Sequence, residues 1–447
     1  MTAGDLAYFR APAMAAVFAA PALVQRALDF EAALARAQAA VGVIPAGAAE
    51  AIAARCRADL FDVPALVEEA AASGTLAVPL VRVLGGLVEP SARGFVHWGA
   101  TSQDVLDTAM VLQVREGLDV LERGLRAVGQ VCAGLAHEHR RTVMAGRTLL
   151  QHAVPITFGL KAARWLALVV RLVGRLREAR GRVLVVQLGG AAGTLAALGP
   201  DGPRVMELVA RALGLGVPDL PWHAERDRVG EVGAALGLVA GAAAKVAGDL
   251  ALLSQTEVGE ISTGAQAGAA RSSTMPQKRN PVEPTFALAN ARLALGMAST
   301  VLAAWPAQEH ERAAGGWQAE WAAVPELFER TAAAVDWVRR ALDGLVVDAG
   351  RMRANLAAGG GQIMAEALTM ALAGVLGREV AYRVVQRVCD TATRAGLPLE
   401  RAAAADEEIR AALPADQLVR ALAVEHYLGS TDAFIDRALE EFRRLPG

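Results

Sequence analysis

Cysteine is nearly missing from this sequence of 447 residues: the three present, Cys56, Cys132 and Cys389, lie far apart and form no C-x-x-C pair. Neither a disulfide framework nor a cysteine zinc site fits that spacing, and a reducing cytoplasm is the expected location. Aromatic residues are scarce too, at 4% against 54% hydrophobic residues in all, so the interior must be built from Ala, Leu and Val. Side chains of this kind suit closely packed helices. There is no excess of positive charge: 45 Lys and Arg stand against 47 Asp and Glu, a net charge of -2. With no basic field for a phosphate backbone, nucleic acid is not an expected partner. Long apolar runs are also lacking. The charge-free apolar run Val232 to Ala244 ends at Lys245, short of the roughly 20 residues a membrane span needs, so no membrane partner is expected. The apolar stretch Ala11 to Val24 has Asp5 before it and no export-like spacer after it, which weighs against a signal peptide. His137 and His139 are two apart, a spacing that sends them to different faces of a helix. No metal and no cofactor is expected.

What the sequence has in abundance is helical periodicity. From Asp107 to His137, Met110, Val114, Leu118, Leu121, Leu125, Val128, Cys132 and Leu135 recur at steps of three or four, the pattern of a long amphipathic helix. Similar stretches run from about Pro155 to Arg180, Glu225 to Ile261, Pro281 to Ala304 and Ala319 to Leu345, with Gly- or Pro-containing breaks between them. The reading is an all-α fold of three helical domains: residues 1–105, a central long-helix bundle over 106–346, and residues 347–447. Stripes of Ala and Leu on such helices leave more apolar surface than one bundle hides, which predicts a homo-oligomer.

Three polar clusters interrupt the apolar pattern at expected helix ends. In HWGATSQD, His97 to Asp104, the hydroxyls of Thr101 and Ser102 precede the long helix. They read either as an N-terminal cap or as a carboxylate cradle that uses free N–H groups and the positive end of the helix dipole. In GRTLLQHAVPITFG, Gly146 to Gly159, Arg147, Thr148, Gln151 and His152 gather before a helix expected to begin near Pro155. His152 alone reads as a structural histidine before it reads as a catalyst. In ARSSTMPQKRNPVEP, Ala270 to Pro284, two serines and two prolines make a stiff exposed loop, with Asn280 and Pro281 as N-cap and first helical residue. Lys278 and Asn280 then stand at a positive helix end. A fourth segment, QLGGAAGT at Gln187 to Thr194, mimics a dinucleotide-binding turn but is not G-x-G-x-x-G and has no βαβ alternation around it.

S-S-T-M-P-Q-K-R-N-P resembles the signature loop of the fumarase/aspartase superfamily, G-S-S-x-M-P-x-K-x-N-P, and the other clusters follow in the superfamily's order. LDFEAALARAQAAVGVIP, FVHWGATSQDVLDT, GRTLLQHAVPITFGLKAA and GGWQAEWAAVPELF resemble its bacterial carboxymuconate cycloisomerases more than its fumarases or argininosuccinate lyases. Where fumarase-type members have T-H-x-Q, this chain has Thr148, Leu149, Leu150, Gln151, and Thr285 stands where the superfamily places the partner Glu. A leaving amine or hydroxide needs that His–Glu acid, whereas a carboxylate departs as a stable anion. Arg271 occupies the place of the signature Gly, and Gln277 a place often held by His.

The resemblance implies interconversion of 3-carboxy-cis,cis-muconate and 4-carboxymuconolactone in β-ketoadipate aromatic catabolism, without a cofactor. It makes Ser272 the proton donor, and the base in reverse, with Lys278 stabilising the anionic intermediate. Thr101, Ser102, Gln151, Asn280, His97 and Arg312 are expected to bind the small polycarboxylate substrate. It also implies a homotetramer whose active sites each draw their three clusters from different subunits. The competing readings are an adenylosuccinate lyase-like enzyme that releases fumarate and a non-catalytic helical oligomer.

Overall fold

The computed structural model describes residues 6–263 and 274–446, and helix dominates. The five long helices foreseen from periodicity are present: α2 (Ser102–Glu138), α3 (Phe158–Val183), α4 (Asp227–Ser254), α5 (Val282–Ala304) and α6 (Gly316–Asp343). Ahead of them α1 (Ala20–Ala40) is the longest of the N-terminal helices. Along α2 the expected stripe is buried, from Val114 through Leu118, Leu121, Leu125 and Val128 to Cys132 and Leu135. The helix begins five residues before its apolar pattern does. Gln103, Asp104 and Asp107 in its first turns are buried although polar, and so hid the helix start from a hydrophobic count.

The chain forms two compact units, each discontinuous in sequence. One comprises Met1–Leu125, Leu172–Ala244 and Phe286–Trp337, the other Arg126–Arg171, Lys245–Thr285 and Val338–Gly447. In the first, Val24, Leu28 and Leu34 of α1 are fully buried, as are Val105, Ala109 and Leu112 of α2. In the second, β1 (Val143–Thr148) and β2 (Gln151–Thr157) form an antiparallel hairpin, and β3 (Ile261–Ser262) pairs with β4 (Val346–Val347). Val143 and Ala145 of β1 pack with Leu356 of α7 (Ala349–Ala358) and with Ile363, Met364 and Ala367.

The hairpin corrects the sequence reading, which placed a helix start near Pro155. Pro155 instead pairs with Ala145 in the ribbon, and the helix begins at Phe158. A two-stranded ribbon has only edges, so proline is tolerated there. Its turn is Leu149–Leu150, both in the left-handed region at φ 50° and 66°. Such turns ordinarily carry Asn-Gly or Gly-Gly, and without those residues the turn was invisible. Gly146 sits at a break in the register, where a Cβ would lie 2.7 Å from the Val154 carbonyl oxygen.

The expectation that no helix suits a membrane also needs correction. By length and mean hydropathy, 1.6 and 1.4, Asp227–Ser254 and Val282–Ala304 are each apolar enough to span one. The charge-free run stops at Lys245, whereas α4 continues through Lys245 and Asp249, an ion pair one helical turn apart, to Ser254. Leu238 and Leu252 of α4, with Leu293, Leu295 and Leu302 of α5, are exposed.

Candidate functional site

The first unit builds a buried polar network around the start of α2. Asp104, fully buried, accepts hydrogen bonds from the backbone N–H groups of Gly189 (2.8 Å) and Gly190 (3.0 Å) and from that of Thr101 (3.0 Å). The last of these is one half of a capping box, in which the third residue of the helix reaches back to its cap. Nε2 of His223 lies 2.7 Å from the same carboxylate. Gly189 has to be glycine, since a Cβ would meet the His223 ring at 2.7 Å. The segment that mimicked a dinucleotide turn is therefore a clasp on Asp104.

One turn on, Asp107 accepts from both terminal nitrogens of buried Arg226, at 2.5 and 3.0 Å, and from Nε1 of Trp317 at 2.9 Å. Arg226 also pairs with buried Glu320. Burial alone would lower the Arg226 pKa, but the two carboxylates carry it above its ordinary value.

Capping by Asp104 leaves the neighbouring hydroxyls unused. Thr101 and Ser102 are half-buried, and among the described residues neither hydroxyl has a hydrogen-bond partner. Gln103 and Asp104, by contrast, are fully buried. His97 stands four residues before Thr101 with φ 58°, and its Nδ1 lies 2.6 Å from Oε1 of Glu31 on α1. Burial alone would lower its pKa, but Glu31, helped by Asp104, raises it above the ordinary 6.5. Arg312 donates to the carbonyl oxygen of Ala191 at 3.0 Å, beside the glycines that hold Asp104. The first unit thus gathers His97, Thr101, Ser102 and Arg312 around one scaffold.

The second unit holds the other two clusters. Leu149 and Leu150 at the hairpin tip are 96% and 73% exposed, and Gln151 beside them is exposed as well. Arg147 turns inward and makes a two-pronged ion pair with fully buried Glu260, at 2.9 and 2.6 Å. Nδ2 of Asn355 on α7 adds a third hydrogen bond to Glu260 at 2.8 Å. His152 pairs with Arg147 across the ribbon, and burial together with that guanidinium lowers its pKa.

Of the signature loop, Ser272 lies outside the described residues. At its base Thr263 donates to Oε2 of Glu283 at 3.1 Å. Lys278 is exposed and Asn280 half-buried; among the described residues Lys278 has no carboxylate partner. The N-cap expectation was one residue early: Thr285 N–H bonds the Pro281 carbonyl, which puts Asn280 just outside the helix. Thr285 Oγ1 is spent on that same carbonyl at 2.7 Å.

Glu31, His223, Arg226, Glu320 and Glu260 were not singled out from sequence. Glu31 had a signal, because it falls on the stripe Val24, Leu28, Leu34 that α1 buries. A charge at such a position needs a partner. Glu260 had none, since its partner Arg147 is 113 residues away.

Two family models match, one described as lyase over residues 8–296 and one as adenylosuccinate lyase C-terminus over residues 361–438. The chain is 47% identical over 442 residues to a 3-carboxy-cis,cis-muconate cycloisomerase of Pseudomonas aeruginosa, covering 98% of this chain and 96% of that one. It is 39% identical over 423 residues to a nitrosuccinate lyase of Streptomyces davaonensis, covering 92% and 89% respectively. Its fold is similar to the crystal structure of 3-carboxy-cis,cis-muconate lactonizing enzyme from Pseudomonas putida, with a TM-score of 0.91, 42% identity and 98% of both chains covered.

Proposed function

The chain belongs to the fumarase/aspartase superfamily of lyases, and within it we propose that it is an intramolecular lyase interconverting 3-carboxy-cis,cis-muconate and 4-carboxymuconolactone. The observation that carries this reading is the hairpin tip. Where an acid for a leaving amine or hydroxide would stand, it presents Leu149, 96% exposed, and Thr285 is turned back onto its own helix. A reaction whose leaving group in the ring-opening direction is a carboxylate needs no such acid.

In the lactonising direction a substrate carboxylate oxygen bonds to the carbon β to a second carboxylate. The displaced electron pair moves toward that second carboxylate, forming an aci-carboxylate, and its α carbon then takes a proton from Ser272. The extra negative charge calls for donors and cations already in place. Lys278 supplies a cation, and Asn280 with the free hydroxyls of Thr101 and Ser102 supplies donors. His97, held toward its charged form by Glu31, orients a carboxylate together with Arg312 and Gln151. No step calls on a metal or an organic cofactor.

The same proposal includes a cytoplasmic homotetramer with shared sites, and a division into three domains near residues 105 and 346. The exposed leucines of α4 and α5 supply the apolar surface that assembly would cover. The test is turnover of 3-carboxy-cis,cis-muconate followed by loss of its diene absorbance, beside parallel incubations with adenylosuccinate and nitrosuccinate. Conversion of carboxymuconate alone supports the reading. Fumarate from adenylosuccinate, nitrite from nitrosuccinate, or no reaction at all would replace it.

A further inference from the structure

A two-stranded ribbon is at best marginally stable by itself. The base of β1 is held by Val143 and Ala145 in an apolar cluster, but its tip has two exposed leucines in left-handed conformation and no apolar anchor of that kind. What fixes the tip is Arg147, one cross-strand pair away from Thr148 and Gln151. Its guanidinium grips both oxygens of Glu260, and Asn355 holds one of them from α7. Glu260 immediately precedes β3, which leads into the signature loop, and its backbone carbonyl accepts from Asp348 N–H at 3.0 Å. Asn355 and Arg351 also bind the Val258 carbonyl, so the approach to the loop is clamped to α7 over several residues.

We propose that Glu260, with Arg147 and Asn355, is a positioning cluster that sets the hairpin bearing Gln151 and the entry to the loop bearing Lys278 and Asn280 in one register. The assignment of those three residues to substrate rests on the function proposed above; the positioning does not. A buried ion pair is weak evidence of stability, since apolar or neutral replacements of similar shape often match it. What such a pair does impose is geometry. Its two-pronged contact allows one arrangement of Arg147, and with it one placement of the tip. A displacement of about 1 Å in a binding group is enough to cost a large factor in rate.

The test separates geometry from stability. Arg147→Met alone leaves the Glu260 charge buried without its cation, and lowers the thermal midpoint. Arg147→Met with Glu260→Gln removes both charges and keeps an acceptor for Asn355, so the midpoint and the oligomer mass return to near wild type. In this double variant native-state hydrogen exchange should quicken at residues 148–151 and 274–283 while the long helices keep their protection. Its kcat/KM on carboxymuconate should fall by about tenfold or more. Arg147→Lys in the otherwise wild-type chain, which keeps the charge but not the fork, should fall between. Unchanged exchange at both segments, or exchange raised evenly across the unit, would overturn the proposal, as would near-wild-type kcat/KM in the double variant. If the wild type fails to turn over carboxymuconate, the functional reading is lost, and the exchange pattern still decides the positioning role.

Discussion

The start of α2 and the tip of the β1–β2 hairpin both carry candidate binding residues, and they are built in opposite ways. At the helix start, Asp104 and Asp107 are saturated by Gly189, Gly190, Thr101, His223, Arg226 and Trp317, all from within the same unit. Those two carboxylates are fully engaged, while among the described residues the hydroxyls of Thr101 and Ser102 are left without a partner. At the hairpin tip two leucines are exposed in a backbone region that costs about 1–3 kcal/mol per residue, with one ion pair behind them. Its strain and its exposure are not offset inside its own unit. The first region is preorganised by its own fold, whereas in the proposed assembly the second is completed from outside its unit. A neighbouring subunit and the substrate are the two candidates in the proposed assembly.

The largest effect is expected in the signature loop. Ser272→Ala should lower turnover by several orders of magnitude, with circular dichroism and oligomer mass unchanged, because the proposed proton donor is lost while both scaffolds stay intact. Near-wild-type activity would remove the serine from the mechanism. Next comes the saturated region. Arg226→Met strands Asp107 and Glu320 as buried charges and should cost about 3–5 kcal/mol in denaturant unfolding. A loss below about 1 kcal/mol would mean that the network is not what holds the start of α2.

A smaller effect is expected at the tip. Leu150→Gly relieves left-handed strain, yet it should lower kcat/KM by about tenfold if, as proposed, a neighbouring subunit covers the leucine in the assembly. A variant with both higher stability and full activity would show the strain to be without use.

The smallest effect concerns His97. Its pKa in the folded protein lies above the ordinary 6.5, so its pairing with Glu31 contributes fully below that pH and fades as pH rises through the folded value. The gap in unfolding free energy between wild type and Glu31→Gln should therefore be widest near pH 6 and narrow toward pH 9. A constant gap would show that Glu31 holds a neutral ring.

The contrast between the regions also explains what could be read in advance. The long helices α2, α4, α5 and α6 were legible because apolar residues at steps of three and four survive any detail of packing. The signature loop was legible as a motif. The hairpin was not, since Leu149–Leu150 breaks the turn chemistry on which such readings depend, and the helical pattern of the next helix was read as starting near Pro155, inside its second strand. The buried network was half legible. Glu31 betrays itself as a charge on a buried stripe, but nothing local marks Asp104 as buried, and its glycine partners lie about 85 residues further on. Ion pairs between distant segments, Arg147 with Glu260 and Arg226 with Asp107, leave no local periodicity to read.

The proposal that each site draws residues from more than one chain, with Gln151 of the hairpin among them, is tested most directly by subunit mixing. Ser272→Ala and Gln151→Ala, each inactive alone, are unfolded, combined in equal amounts and refolded, and the mixed oligomers are verified by native mass. If each site takes residue 272 and residue 151 from different chains, activity should return to as much as about a quarter of wild type, the share of sites with neither defect. Mixed oligomers that remain inactive would place both residues in one chain's own site and contradict the account.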